Sequence, residues 1–145
     1  MLRFIRSATL ALVLCAQISG NARAQEASID PLVLPAEGIE RTYACTSYLN
    51  AFSAMLRARN RDDSAGYTLL MLYVSMSRTA KEQAQSQGIS ADTAQKRMTA
   101  WDAAVVTATL TSLKGNEGRF SSNLRECVDI AVTAGKGARA PSEAP

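Results

Sequence analysis

The chain has 145 residues, of which 47% are hydrophobic, 16 are basic, 13 are acidic and none is histidine. This length suits a single domain with a modest core. The absence of histidine excludes Ser-His and Cys-His nucleophile pairs and removes the commonest zinc ligand. The sequence also has no nucleotide-binding loop, calcium loop or C-x-x-C motif. We therefore predict a protein that is not an enzyme, with no catalytic, metal-binding or cofactor-binding residue.

Residues 1–24 have the features of a secretory signal peptide. Arg3 and Arg6 give a positive start, an apolar run follows from Ala8 to Ile18, and Ala22-Arg23-Ala24 supplies the small residues of a cleavage site. The run is much shorter than the ~20 residues that span a bilayer. We predict cleavage near Ala24, export to the periplasm or secretion, and no stable membrane insertion of the processed chain.

The basic charge of the sequence belongs to this leader. Cleavage removes Arg3, Arg6 and Arg23 but no acidic residue, and it leaves 13 basic and 13 acidic residues. A chain without net charge has no general attraction for a phosphate backbone. We therefore predict no nucleic-acid partner.

Two cysteines, Cys45 and Cys127, remain after Cys15 leaves with the leader. An oxidising compartment favours a disulfide between them. Closing so long a loop stabilises the folded state by about 4.5 kcal/mol through chain entropy. Alternatively, the two cysteines could be redox-active or bind a metal. Neither cysteine lies in a C-x-x-C motif, however, and the chain has no histidine.

The spacing of apolar residues predicts four helices. The first covers about 38–59 and places Cys45, Tyr48 and Phe52 on one face. The second covers about 64–87, with Asp62, Asp63 or Ser64 as its N-cap and Gly88 at its end. Its first half is apolar in nearly every direction, which predicts either the centre of the bundle or a partly exposed contact surface.

The third and fourth helices follow from the same spacing. Ser90 is a suitable N-cap for a helix that ends near Gly115, and its apolar stripe includes Trp101 and Val105. The fourth helix covers about 119–134, carries Cys127 on its apolar face and ends at Gly135. Residues 135–145 mix small, proline and charged residues without periodicity, which predicts a disordered tail.

These elements predict an all-α fold, a small up-down bundle of about four helices with one disulfide between the first and last helices. The predicted organisation is a signal peptide (1–24), an extended N-terminal arm (25–37), a helical domain (38–134) and a disordered tail (135–145).

An apolar segment between two prolines, residues 29–35, is predicted to be extended. Its leucines either cover part of the core or dock on a partner protein. The same two alternatives hold for the apolar half of the second helix. The candidate partner-contact residues are Leu32, Val33 and Leu34 in the arm and Leu69, Leu72 and Tyr73 in the second helix.

The leading functional hypothesis is an exported, non-catalytic protein that acts by binding another protein of the cell envelope. One alternative is a periplasmic chaperone that responds to acid or stress. Because the chain lacks histidine, its switch would depend on carboxylates and act below about pH 5. Another alternative is a carrier of a small molecule or lipid between the helices. The sequence does not specify the oligomeric state.

Overall fold

The computed structural model describes residues 28–137. Within them lie four helices: α1 (Gly38–Arg59), α2 (Ser64–Ser86), α3 (Ala91–Ser112) and α4 (Glu117–Gly137). The helices pack together, and a disulfide joins α1 to α4. The predicted fold class is therefore confirmed. The predicted signal peptide and residues 138–145 of the predicted tail lie outside the described residues.

Local capping chemistry sets the starts of α2 and α3. The side chain of Asp63 accepts a hydrogen bond from the Gly66 amide at 2.9 Å, and that of Ser90 accepts one from the Thr93 amide at 3.2 Å. Each bond satisfies an amide that has no partner within its helix. Gly88, with φ of 68°, follows the C-terminus of α2.

The fourth helix is longer than its sequence pattern predicts. It begins at Glu117 and continues through Gly135 to Gly137, so residues 135–137 are helix and not the start of the tail. A glycine inside a helix costs only about 1 kcal/mol relative to alanine. That cost does not end a helix whose preceding turn is held by packing, as α4 is through the buried Ala131.

Helix α1 lies at the centre of the bundle. It contacts α2, α3 and α4, whereas α3 and α4 do not approach each other within the described residues. Every residue from Thr42 to Leu49 is buried. Helix α2 also contacts the other three helices, but three of its apolar side chains, Tyr67, Met71 and Val74, are exposed.

Small polar side chains allow the middle of α1 to be buried on every side. Thr42 donates a hydrogen bond to the side-chain oxygen of Gln83 on α2 at 2.7 Å, and the buried Ser53 donates one to the Gly66 carbonyl at 3.0 Å. These bonds satisfy hydroxyl groups that would otherwise be costly to bury. They also tie both ends of α2 to the central helix.

The predicted disulfide, Cys45–Cys127, is present, with 4.9 Å between the two Cα atoms. Both cysteines are fully buried. On the same faces, the rings of Tyr48, Phe52 and Phe120 form a cluster with centroids 6.0 to 6.2 Å apart. An ion pair between Arg41 and Glu126 also joins α1 to α4. The covalent bond therefore lies within a packed interface.

Candidate partner-binding surface

The N-terminal arm, residues 28–37, is held against the bundle by polar contacts to its backbone. The Tyr48 hydroxyl donates a hydrogen bond to the Pro31 carbonyl. The side-chain amide of Asn123 on α4 donates to the Tyr48 oxygen at 2.8 Å and to the Leu32 carbonyl at 3.4 Å. Ile29, Leu32 and Leu34 pack against the core. The arm therefore lies across the bundle and covers part of its interior.

A groove runs between this arm and α3. Its volume is about 480 Å³. Its α3 wall consists of alanine, threonine and serine side chains, while its arm wall includes Ile29 and Pro31. No charged side chain lines it. The groove is therefore shallow, open to solvent and free of charged side chains.

The outer surface of α3 continues the uncharged character of the groove. From Ala103 to Leu113 the sequence has no charged residue. Leu110 is 80% exposed and Val106 is 41% exposed. We call the groove together with Val106 and Leu110 the arm–α3 surface. Because large exposed apolar side chains that adjoin one another mark interaction sites more often than scattered ones do, this surface is a candidate contact for a partner.

A second exposed apolar surface lies on α2. Tyr67, Met71 and Val74 are 51%, 68% and 48% exposed. They are spaced by four and then three residues, which places them along one side of the helix. We call these three residues the α2 stripe. The opposite side of α2 packs into the core through Leu69, Met76 and Ala80.

The candidate contact residues from the sequence analysis occupy three different environments. Val33 is exposed, and Leu69 is buried in the core. Leu32, Leu34, Leu72 and Tyr73 are partly buried and pack against the core. Partner binding by these six residues stays a prediction. The sequence analysis missed the α2 stripe, because almost every position in this half of α2 is apolar and periodicity alone does not show which side meets α1.

A cleft separates the end of α2 from the start of α3, where the two helices diverge. It has a volume of about 340 Å³. Ala84, Ala94 and Met98 form apolar parts of its lining, and Lys81, Gln85 and Gln95 supply polar atoms. Its size is at the lower end of the range for small-molecule sites, about 300–1,000 Å³.

A polar cluster joins the start of α1 to α3. Arg97 donates two hydrogen bonds to the carboxylate of Glu40, at 2.9 and 2.7 Å, and the Trp101 indole donates a third at 2.8 Å. Burial raises the pKa of Glu40, but the bonds from Arg97 and Trp101 and the charge of Arg97 outweigh it, so the pKa is lowered overall. Glu40 is therefore held as an anion, which suits a structural cross-link more than proton transfer at neutral pH.

Within residues 28–137, no three histidine, cysteine or acidic side chains are grouped so that they could hold a metal ion. In the same part of the chain, no helix is both long enough and apolar enough to cross a membrane.

No protein-family model matches the chain, and comparisons with curated proteins and with solved structures find no significant match. Its function therefore has to be argued from its own residues.

Proposed function

We propose that the protein acts by binding another protein through the arm–α3 surface, without catalysing a reaction. The observation that carries this proposal is an uncharged groove next to Leu110, the most exposed large apolar side chain described. An open, uncharged surface with exposed apolar side chains can pack against apolar side chains of a partner and exclude water from them. The lack of charge means that docking would leave no unpaired ion buried.

We place this activity in the periplasm or another oxidising compartment. The signal-peptide features of residues 1–24 support export. A buried disulfide is compatible with it, because such bonds are rare in reducing compartments. The proposed partner is a protein of the cell envelope, and nucleic acid is not among the proposed partners.

The test is capture of a partner by variants of two exposed positions. Leu110→Glu puts a charge on the arm–α3 surface beside the groove, whereas Arg125→Glu changes an exposed residue on α4. Each variant is exported in the source organism, cross-linked in intact cells and purified under denaturing conditions. We expect the wild type and Arg125→Glu to carry the same cross-linked protein and Leu110→Glu to lose it. Equal yield from all three, or no cross-linked protein, would contradict the proposal.

An acid-responsive chaperone is the second candidate. Two ion pairs favour it, because Glu40–Arg97 joins α1 to α3 and Glu126–Arg41 joins α1 to α4. Protonation of Glu40 would break the first of these links and loosen the packing of α3 against α1. This candidate requires increased binding of a hydrophobic dye below about pH 4.5, together with protection of a client from aggregation. Unchanged dye binding at pH 3 would argue against it.

A small-molecule or lipid carrier is the third candidate, favoured by the cleft between α2 and α3. Its apolar floor and the Lys81 ammonium group suit a short aliphatic chain with an anionic head. Native mass spectrometry of protein purified from its source would show bound ligand if this candidate holds. A spectrum with apoprotein alone would count against it.

A further inference from the structure

The shape of the α2 stripe favours a different partner from the one proposed for the arm–α3 surface. It is a convex ridge on one helix, with no charged residue from Ser64 to Ser77. Its spacing of four and three residues is the spacing at which two helices pack side by side. A ridge of this kind buries its side chains against a second ridge of similar shape.

We propose that the α2 stripe is the contact between two copies of this chain, with their α2 helices antiparallel about a two-fold axis near Met71. This inference uses a different face from the proposed function and does not depend on it. A two-fold contact presents the same surface from both sides, so that surface has to be complementary to itself. An uncharged apolar ridge meets this condition, because neither copy buries an unpaired charge.

The charges that flank the stripe favour the antiparallel orientation. Arg78 lies seven residues after Met71, and Ser64 lies seven residues before it. A two-fold axis at Met71 therefore brings Arg78 of one copy beside Ser64 of the other, next to the carboxylate of Asp62. Arg78 and Asp62 are both exposed, and neither makes an ion pair within the described residues. A parallel arrangement would instead place Arg78 beside Arg78.

The size of the stripe sets the expected strength of the dimer. A standard stable interface buries about 800 Å² on each partner, and about four turns of one helix provide less than this. The chain after the predicted cleavage has equal numbers of basic and acidic residues, so net charge does not oppose association. We therefore expect a reversible dimer with a dissociation constant on the order of tens of micromolar.

Sedimentation equilibrium of the exported, disulfide-bonded protein from about 5 to 500 µM tests the contact. Met71→Glu puts a charge in the middle of the stripe, and Leu110→Glu puts the same charge on the arm–α3 surface as a matched control. We expect Met71→Glu to raise the dissociation constant at least tenfold and Leu110→Glu to leave it within twofold. A monomer at every concentration, or a dimer that Met71→Glu does not weaken, would overturn the proposal.

Cysteine cross-linking tests the orientation, and it does not depend on the folding of the glutamate variant. With Met71→Cys we expect a covalent dimer after mild oxidation, because the two positions meet at the axis. Ser64→Cys and Arg78→Cys should cross-link to each other when mixed, but neither should cross-link to itself. Self-cross-linking of Arg78→Cys, or no cross-link from Met71→Cys, would contradict the antiparallel contact.

Discussion

Tyr48 links three parts of the molecule through one hydroxyl group. The side chain is fully buried, and its hydroxyl donates to the Pro31 carbonyl of the arm and accepts from Asn123 on α4. The pKa of Tyr48 is raised, mainly because the hydroxyl is buried. The hydrogen bond from Asn123 lowers the pKa, whereas the negative charge of Asp30 adds to the increase. The hydroxyl therefore stays protonated at neutral pH and can keep donating to the arm.

Tyr48→Phe should loosen the arm without disturbing the aromatic cluster. The substitution keeps the ring but leaves the Pro31 carbonyl and the Asn123 amide without this partner, which should cost about 1–2 kcal/mol. Hydrogen exchange should show faster exchange of the Val33 amide, which donates to the Asp30 carbonyl in the bound arm. Tyr67→Phe, at an exposed tyrosine, should change stability by less than about 0.5 kcal/mol. Equal effects of the two substitutions would contradict the anchoring role.

Glu40 makes stability depend on pH. Its pKa is lowered in the folded protein, so its contribution is fully present above the ordinary carboxyl value of 4.5 and is lost as the pH falls through the lowered value. Glu40→Gln should therefore reduce the free energy of unfolding at pH 7, by about 1 kcal/mol after allowing for partial exposure of the pair. At pH 3 the difference in free energy of unfolding between Glu40→Gln and the wild type should be smaller.

Urea unfolding at pH 7 and pH 3 measures this difference. Asp92→Asn is the matched control, because the Asp92–Lys96 pair lies on one helix with both side chains about three-quarters exposed. Such pairs contribute only about 0.3–0.5 kcal/mol. If Glu40→Gln destabilises the protein equally at both pH values, the carboxylate is not the group responsible.

At the scale of elements, α1 and α2 approach each other closely where α2 begins. A Cβ atom added to Gly66 would lie 2.8 Å from the Arg57 Cγ atom and 3.3 Å from both the Arg57 backbone nitrogen and the Leu56 Cβ atom. The Gly66 carbonyl also accepts the hydrogen bond from Ser53. Glycine at this position therefore allows the two helices to approach each other.

Gly66→Ala should destabilise the protein, although alanine is the better helix former. Relief of the clash requires a shift of α2 away from α1, and we expect a net loss of about 1–2 kcal/mol. Gly135→Ala is the control, because it too lies in a helix but nothing stands within 4 Å of an added Cβ atom. That variant should be neutral or more stable by up to about 1 kcal/mol. Thermal unfolding followed by circular dichroism compares the two, and a stabilised Gly66→Ala variant would exclude a close approach.

At the scale of the whole molecule, the disulfide closes most of the bundle into one loop. Cys45 and Cys127 lie 82 positions apart in the sequence and join the central helix to the last one. A small domain has a total stability of only about 5–15 kcal/mol, so one cross-link of this kind is a large part of it.

Replacement of both cysteines, Cys45→Ala with Cys127→Ala, should lower the free energy of unfolding by about 4.5 kcal/mol, with additional loss from the small cavity left behind. Urea titration of the double variant and of the oxidised wild type measures the change. Addition of a thiol reductant should lower the stability of the wild type toward that of the variant and leave the variant unchanged. A loss below about 1 kcal/mol would show that helix packing alone holds the bundle.

Much of the fold could be predicted from the sequence, because helices and their ends depend on residues close together in the chain. The spacing of apolar residues by three and four predicted all four helices. The sequence offered Asp62, Asp63 or Ser64 as the N-cap of α2, of which Asp63 is the cap, and it marked Ser90 and Gly88 as helix ends. The disulfide was predictable because only Cys45 and Cys127 follow the predicted signal peptide. Each of these inferences needs only composition or a spacing of a few residues.

The arrangement of the helices was decided only in the tertiary structure. Burial of the middle of α1 on all sides depends on pairings such as Thr42 with Gln83 and Ser53 with Gly66, which lie far apart in the sequence. Because α1 takes the centre, one side of α2 is left at the surface, and Tyr67, Met71 and Val74 are exposed while Leu69 is buried. The packing of the helices therefore decides which apolar residues remain available for a partner. From the sequence alone, any apolar side chain of α2 could be buried, and only the contact with α1 selects the side that is.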